Sequence, residues 1–101
     1  MPLTDTGQQP NANGATLTNV AQNAASVTLQ AFNYERNGLV IFNDSTANLF
    51  IKFGITASAT SFTYKVLAGG TLELPAPVYS GRVDGIWDAA GAGAARVTET
   101  F

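Results

Sequence analysis

Short stretches of alternating apolar and polar residues run through this sequence from Ser26 onwards, and they constrain the fold more than any other feature. Val27, Leu29 and Ala31, for example, alternate with polar neighbours, which is the period of a strand with one buried face. Turn-forming residues separate such stretches at intervals of roughly 8 to 12 residues, and no stretch has a sustained helical period. The sequence therefore predicts an all-β domain, an antiparallel β-sandwich or small barrel of about seven or eight strands.

Three pairs of neighbouring stretches are interpreted as hairpins, because only a few turn-forming residues separate the members of each pair. These pairs cover residues 39–53, 62–74 and 83–100. Pro75 and Pro77 lack the N–H group that a central strand donates. Residues 74–78 are therefore predicted to lie at a sheet edge or a corner.

Apolar residues on the inward faces of these strands are predicted to form the core. They are Leu39, Ile41, Phe53, Phe62 and Trp87. Trp87 shares a strand face with Val83 and Gly85, and the missing side chain at Gly85 leaves room for a large neighbour. Trp87 is accordingly predicted to fill the interior.

Residues 1–25 differ in composition from the rest of the chain. They are rich in Asn and Gln, contain no aromatic residue, and carry one charge, on Asp5. Because such a stretch buries too little apolar area to offset its ordering entropy, we predict an extended N-terminal arm over residues 1–25, followed by a β-sandwich domain over residues 26–101. Leu17 and Val20 allow one short strand near the end of the arm. The arm residues predicted to contact a neighbouring protein are Leu3, Gln9, Pro10, Asn13 and Leu17.

The chain contains neither cysteine nor histidine, which removes thiol nucleophiles, thiolate metal sites and the commonest general base. Asp84 and Asp88 are the candidates for a catalytic carboxylate pair. Four strand positions would separate them by about 13 Å, beyond the roughly 9.5 Å limit of glycosidase pairs, so a solvated face or a turn cap suits them better. Asn43, Asp44 and Glu73 lack the spaced loop of a calcium site. We therefore expect no enzyme activity, no cofactor and no metal ion.

Charge and hydropathy bear on the expected partners. Five basic and seven acidic residues give a net charge of −2, and the basic residues lie far apart in the sequence. Phosphate backbones are bound by clustered Lys and Arg, so nucleic acid is not an expected partner. No apolar run reaches about 18 residues and no basic, apolar leader precedes the domain, so neither membrane insertion nor classical export is expected. A small core and a surface with few charges favour a homo-oligomer.

Tyr34, Tyr79 and Trp87 admit two interpretations. As an exposed row they would form a sugar-stacking platform, which is the signature of a carbohydrate-binding module. Alternatively, Trp87 fills the core, while Tyr34 and Tyr79 pack at subunit interfaces, where tyrosine is enriched. The packing interpretation is preferred.

Several segments between residues 26 and 99 together resemble small virion structural proteins of tailed bacteriophages. These segments are NDSTA (43–47), LFIKFG (49–54), TAS (56–58), AGG (68–70), LPAPVYSG (74–81), DGIW (84–87) and ARVTE (95–99). The resemblance implies a β-sandwich that serves as a building block of the particle.

Within that resemblance we expect a capsid decoration, or cement, protein that stabilises the assembled head. It would be made in the host cytoplasm and lie on the outer surface of the head, as a trimer about a symmetry axis of the shell. The arm would lie on the major capsid protein or on a neighbouring copy. The alternatives are an adaptor or fibre-base module of the virion, or a carbohydrate-binding module that aids adsorption.

Overall fold

The structure is a computed structural model that describes residues 11–101. Its regular elements are eight strands: β1 (Ala15–Ala21), β2 (Val27–Gln30), β3 (Gly38–Asp44), β4 (Leu49–Phe53), β5 (Tyr64–Val66), β6 (Thr71–Glu73), β7 (Val83–Trp87) and β8 (Ala94–Thr100). Within these residues there is no helix long and apolar enough to span a membrane.

The eight strands form two antiparallel sheets of four, in the orders β1-β8-β3-β6 and β2-β7-β4-β5. Four ladders are nested in the sequence, since β1 pairs with β8, β2 with β7, β3 with β6 and β4 with β5. Two more ladders, β3–β8 and β4–β7, join these pairs into the sheets. When a long hairpin made of such nested strand pairs rolls up into two packed sheets, it gives this strand order. The order is that of an eight-stranded jelly roll. The predicted all-β antiparallel sandwich is confirmed.

The three predicted hairpins are wrong. The strands β3 and β4 lie in different sheets, as do β5 and β6, and also β7 and β8. Each short connection therefore crosses from one sheet to the other instead of reversing the chain within a sheet. The prediction that residues 74–78 lie at a sheet edge or a corner agrees with the structure. The strand β6 is an edge strand that ends at Glu73, and a loop follows it, with a cis peptide bond before Pro77.

The core lies between the two sheets. Leu39, Ile41 and Trp87 are buried in it as predicted. The room at Gly85 is filled by Leu29, because a Cβ atom at Gly85 would lie only 2.7 Å from Leu29 Cδ1. The other buried apolar residues of this cluster are Ala47, Leu49, Ile51, Val66, Leu74, Val83, Ala95 and Val97.

Of the other two predicted core aromatics, one lies outside the core and one lies at its margin. Phe62 is 41% exposed and packs edge-on against Phe50, with ring centroids 4.9 Å apart. Its prediction as a core residue is wrong because β5 begins only at Tyr64, so the strand alternation does not extend back to position 62. Phe53 is half-buried at the margin of the core, where its ring lies against Tyr79.

The structure differs from the predicted arm over residues 15–21. These residues form β1, which pairs along its whole length with β8 and is part of the sandwich. Its threonines and Val20 favour strands, and β8 offers the main-chain partners that such a polar segment needs. Asn13 also belongs to this junction, since its backbone N–H donates to the carbonyl of Phe101. The predicted arm contacts Leu3, Gln9 and Pro10 lie outside the described residues.

Candidate functional site

The β2–β3 loop, residues 31–37, is fixed at one end of the sandwich by the Arg36 side chain. Its Nε donates to Glu99 Oε2 at 2.7 Å, its Nη1 to the carbonyl of Tyr79 at 2.8 Å, and its Nη2 to the carbonyl of Ala31 at 2.6 Å. This side chain is fully buried. One guanidinium therefore ties the loop both to β8 and to the β6–β7 connection, residues 74–82.

The ion pair of Arg36 and Glu99 was missed by the sequence predictions. In β8 the strand period places Glu99 on the same face as Ala95 and Val97, which are in the core. A carboxylate on an inward face needs a cation and hydrogen bonds to be buried. The inward position of Glu99 therefore indicates, from the sequence, that this carboxylate has a buried cationic partner. It does not indicate which residue supplies the cation.

The loop held by Arg36 presents two aromatic side chains to solvent. Tyr34 is 76% exposed, and its ring stacks against Phe32 with centroids 6.4 Å apart. A second internal bond supports the loop, since the Glu35 N–H donates to Asn33 Oδ1 at 3.0 Å. Tyr34, predicted at a subunit interface, thus lies exposed on a loop that hydrogen bonds anchor.

A groove of about 720 Å³ opens beside Tyr34, between the β2–β3 loop and the two ends of the described chain. We call it the Tyr34 groove. Its lining residues are Asn11, Asn13, Gly14, Tyr34, Glu35, Arg36, Asn37 and Phe101. The groove combines aromatic rings with side-chain amides, and the Asn37 Nδ2 atom bridges its two sides by donating to the carbonyl of Asn11 at 3.2 Å.

The alternative interpretation of Tyr34, Tyr79 and Trp87 as an exposed sugar-stacking row is wrong. Trp87 is 2% exposed, and its indole Nε1 donates to Asn43 Oδ1 at 3.0 Å inside the core. Tyr79 is half-buried, with its ring parallel to Phe53 at a centroid distance of 4.6 Å. Of the three aromatics, only Tyr34 is available to a ligand.

Asn43 is the polar centre of the interior. Its Nδ2 donates to the carbonyls of Ala47 and Val66 at 2.7 and 3.1 Å, while its Oδ1 accepts from Trp87 and from Ser45 Oγ. Both ends of the amide are thereby satisfied, as a buried amide requires. This network fastens the connection between β3 and β4 to the ring of Trp87.

Asp84 and Asp88, the two candidate catalytic carboxylates, accept hydrogen bonds from different loops. Asp84 is buried and accepts from Arg82 Nε at 2.8 Å and from the Thr56 N–H at 2.7 Å. The backbone of Thr56 is in the left-handed region, with φ at 61°, and the bond to Asp84 helps to hold it there. Asp88 instead accepts from the Asn48 N–H at 3.1 Å. Both aspartates thus act as turn caps, one of the two roles predicted for them.

Asp84 is expected to make the stability of the fold depend on pH. Burial raises the pKa of Asp84, but bonds from Arg82, the Thr56 N–H and Thr28 outweigh it, so this pKa lies below its usual range. The stabilisation is therefore complete above the unfolded-state pKa of about 3.9 and is lost as the pH falls through the lower folded-state value.

Thermal unfolding measured across this acid range should show that loss of stability. Asp84→Asn should destabilise the protein at neutral pH and reduce the steepness of the acid decline, because an amide has no proton to gain there. If the variant declines as steeply as the parent chain, Asp84 is not the source of the pH dependence.

The long edge of the first sheet is a second candidate surface. The N–H groups of Gly14 and Gln22, which flank β1, donate to the carbonyls of Phe101 and Gly93, which flank β8. Because main-chain groups alternate in direction along an antiparallel strand, the even-numbered residues between them also bond to β8. The N–H and C=O groups of Ala15, Leu17, Asn19 and Ala21 therefore point away from the sheet. We call this row the β1 edge.

Within the part of the chain that the structure describes, the β1 edge has none of the features that usually protect a sheet edge. Its strand contains no charged residue and no proline, and Leu17 is 63% exposed. Natural sheets keep such edges short, charged or covered, since an open edge is a template for another strand. Among residues 11–101, no strand pairs with this side of β1.

No known protein family, curated protein or solved structure matches this chain significantly. Its function is therefore inferred from the fold and the β1 edge together with the sequence analysis.

Proposed function

We propose that this chain is a bacteriophage virion structural protein, and more specifically a capsid decoration protein that binds the outer surface of the assembled head. The observation that carries the proposal is the β1 edge, a seven-residue uncharged strand whose outward main-chain groups suit a neighbouring strand. The jelly-roll order supports it, because this architecture recurs in viral capsid domains. The resemblance of residues 26–99 to small virion proteins supports the phage assignment.

The β1 edge suggests how attachment works. A strand of the major capsid protein, or of a neighbouring copy, adds to β1 through main-chain hydrogen bonds, which provide affinity without any charge on this strand. Its attachment should accordingly change little between about 0.01 M and 1 M salt, although the Debye length falls from about 30 Å to about 3 Å. We also propose that the arm residues Leu3, Gln9 and Pro10 contact the major capsid protein or a neighbouring copy.

Stabilisation of the shell follows from mass action. A protein that binds only the assembled lattice stabilises it by RT ln(1 + [L]/Kd) per site, which is about 2.7 kcal/mol at a free concentration of 100 Kd. Because the binding site repeats over the shell, the stabilising contributions of all bound copies add together. Trimerisation about a symmetry axis is part of the proposal, since joining copies raises their combined affinity for a repeating surface.

A pair of proline substitutions in β1 tests the use of the edge. Asn19→Pro removes an N–H that points outwards, so the fold should keep its thermal midpoint. Binding to phage heads purified without the protein should weaken by roughly 10- to 100-fold, because a main-chain bond is lost and its acceptor is left unpaired. Cosedimentation with heads measures binding, and circular dichroism measures the thermal midpoint.

Two matched variants complete the experiment. Thr18→Pro removes an N–H that bonds to β8, so it should lower the thermal midpoint, which Asn19→Pro should not do. Asn19→Ala removes the same side chain as Asn19→Pro but keeps the N–H, so it should bind almost as well as the parent chain. Full binding of Asn19→Pro would show that the β1 edge is not the attachment surface.

A further inference from the structure

We propose that the Tyr34 groove is a binding site for a neutral saccharide, with the Tyr34 ring as its stacking platform. This site is separate from the β1 edge and does not depend on the virion role. The inference rests on how the β2–β3 loop is held, on the chemistry of the groove lining, and on the distribution of charge there.

The loop that carries Tyr34 is anchored by hydrogen bonds within the protein. Arg36 anchors it through buried bonds to Glu99 and to the carbonyls of Tyr79 and Ala31. An exposed ring on an anchored loop loses little further conformational freedom on binding, which favours affinity. At 76% exposure Tyr34 contributes little to the core, and its ring is accessible to a ligand.

The groove lining matches the chemistry of a sugar ring. The C–H face of a pyranose is apolar and stacks on an aromatic ring, and Tyr34 and Phe101 supply such rings at the groove. Hydroxyl groups both donate and accept hydrogen bonds. Asn11 and Asn13 carry amides that also do both, and Glu35 adds a carboxylate that accepts from hydroxyl pairs. The volume of the groove, about 720 Å³, lies within the range of about 300–1,000 Å³ that small-molecule sites occupy.

The charge distribution indicates that the ligand is neutral. Arg36 is the one cation among the described residues that line the groove, and its guanidinium is committed to Glu99 at 2.7 Å with no exposed surface. An acidic saccharide would approach the Glu35 carboxylate without a compensating cation, which is unfavourable. Uncharged hexose or N-acetylhexosamine chains avoid this repulsion.

Titration of the full chain with short neutral oligosaccharides, followed by amide chemical shifts in NMR spectra, tests the proposal. The probes are gluco-, galacto-, manno- and N-acetylglucosamine oligomers. At least one series should produce saturable shifts centred on Asn11, Asn13, Tyr34, Asn37 and Phe101. Tyr34→Ala should weaken that binding by about tenfold or more, because it removes the stacking surface.

Matched variants separate stacking from other effects. Tyr34→Phe keeps the ring and should retain most of the affinity, while Leu67→Ala removes a similarly exposed apolar side chain outside the groove and should change nothing. Unchanged saccharide binding by Tyr34→Ala, or no shifts with any probe at millimolar concentration, would overturn the proposal. So would dissociation of an oligomer by Tyr34→Ala without saccharide binding, which would assign the ring to a subunit interface. Binding to phage heads should be unaffected by Tyr34→Ala, so failure here is distinguishable from failure of the virion proposal.

Discussion

Replacing Trp87 with alanine is expected to destabilise the protein by about 3–5 kcal/mol, a large share of the total stability of a domain of this size. The ring is fully enclosed between the sheets, and its removal leaves a cavity among rigid strands. The substitution also deprives Asn43 Oδ1 of its indole donor. Chemical denaturation followed by far-UV circular dichroism measures the effect, since Trp87 is the only tryptophan and fluorescence is lost with it.

Trp87→Phe is the matched control for this prediction. It keeps much of the buried ring and removes the N–H, and Ser45 Oγ still donates to Asn43 Oδ1 at 2.7 Å. Its cost should therefore be clearly smaller than that of alanine. A Trp87→Ala protein that unfolds at the same denaturant concentration as the parent chain would contradict the placement of Trp87 in the core.

Removing the Arg36 guanidinium should be comparably severe. Arg36→Met leaves the Glu99 carboxylate buried without its cation and the carbonyls of Tyr79, Gly81 and Ala31 without their donor. Breaking a buried pair in this way costs about 3–5 kcal/mol, much of it from the uncompensated charge. Denaturant unfolding of the variant measures this loss.

Two further variants distinguish the ion pair from simple packing. Arg36→Lys keeps a positive charge but cannot reproduce the fork of donors, so its stability should lie between those of the parent chain and Arg36→Met. Arg36→Met combined with Glu99→Leu removes both charges and should be more stable than Arg36→Met alone. If the double variant is no more stable than the single one, the pair is not electrostatically coupled as its geometry indicates.

The class of the fold was predictable because strand alternation is a local property. Leu39 and Ile41 alternate with less buried neighbours, and the structure buries both of them. Pairing is not a local property. A strand with one inward face has the same period whether the next strand lies beside it or across the core, so the segments 39–53, 62–74 and 83–100 look like hairpins although each crosses between the sheets.

The candidate surfaces were only partly predictable for the same reason. Leu17 and Val20 indicated a short strand, but its partner β8 lies near the other end of the chain, so the sequence does not show that β1 joins a sheet. Arg36 and Glu99 are 63 positions apart. The sequence predicts Tyr34 at a subunit interface, but it does not show the groove beside it, which forms only when Phe101 and Asn13 meet through main-chain bonds.

An electron-microscopy map of the native phage particle tests the central claim most directly. A decoration protein should appear as many regular copies on the outer surface of the head, with a strand of a neighbouring protein hydrogen-bonded along the β1 edge. A ring or spike of this chain at a single vertex would indicate the adaptor or fibre-base role instead. Absence of the chain from the particle, or copies whose β1 edge faces open solvent, would contradict the proposed mode of attachment.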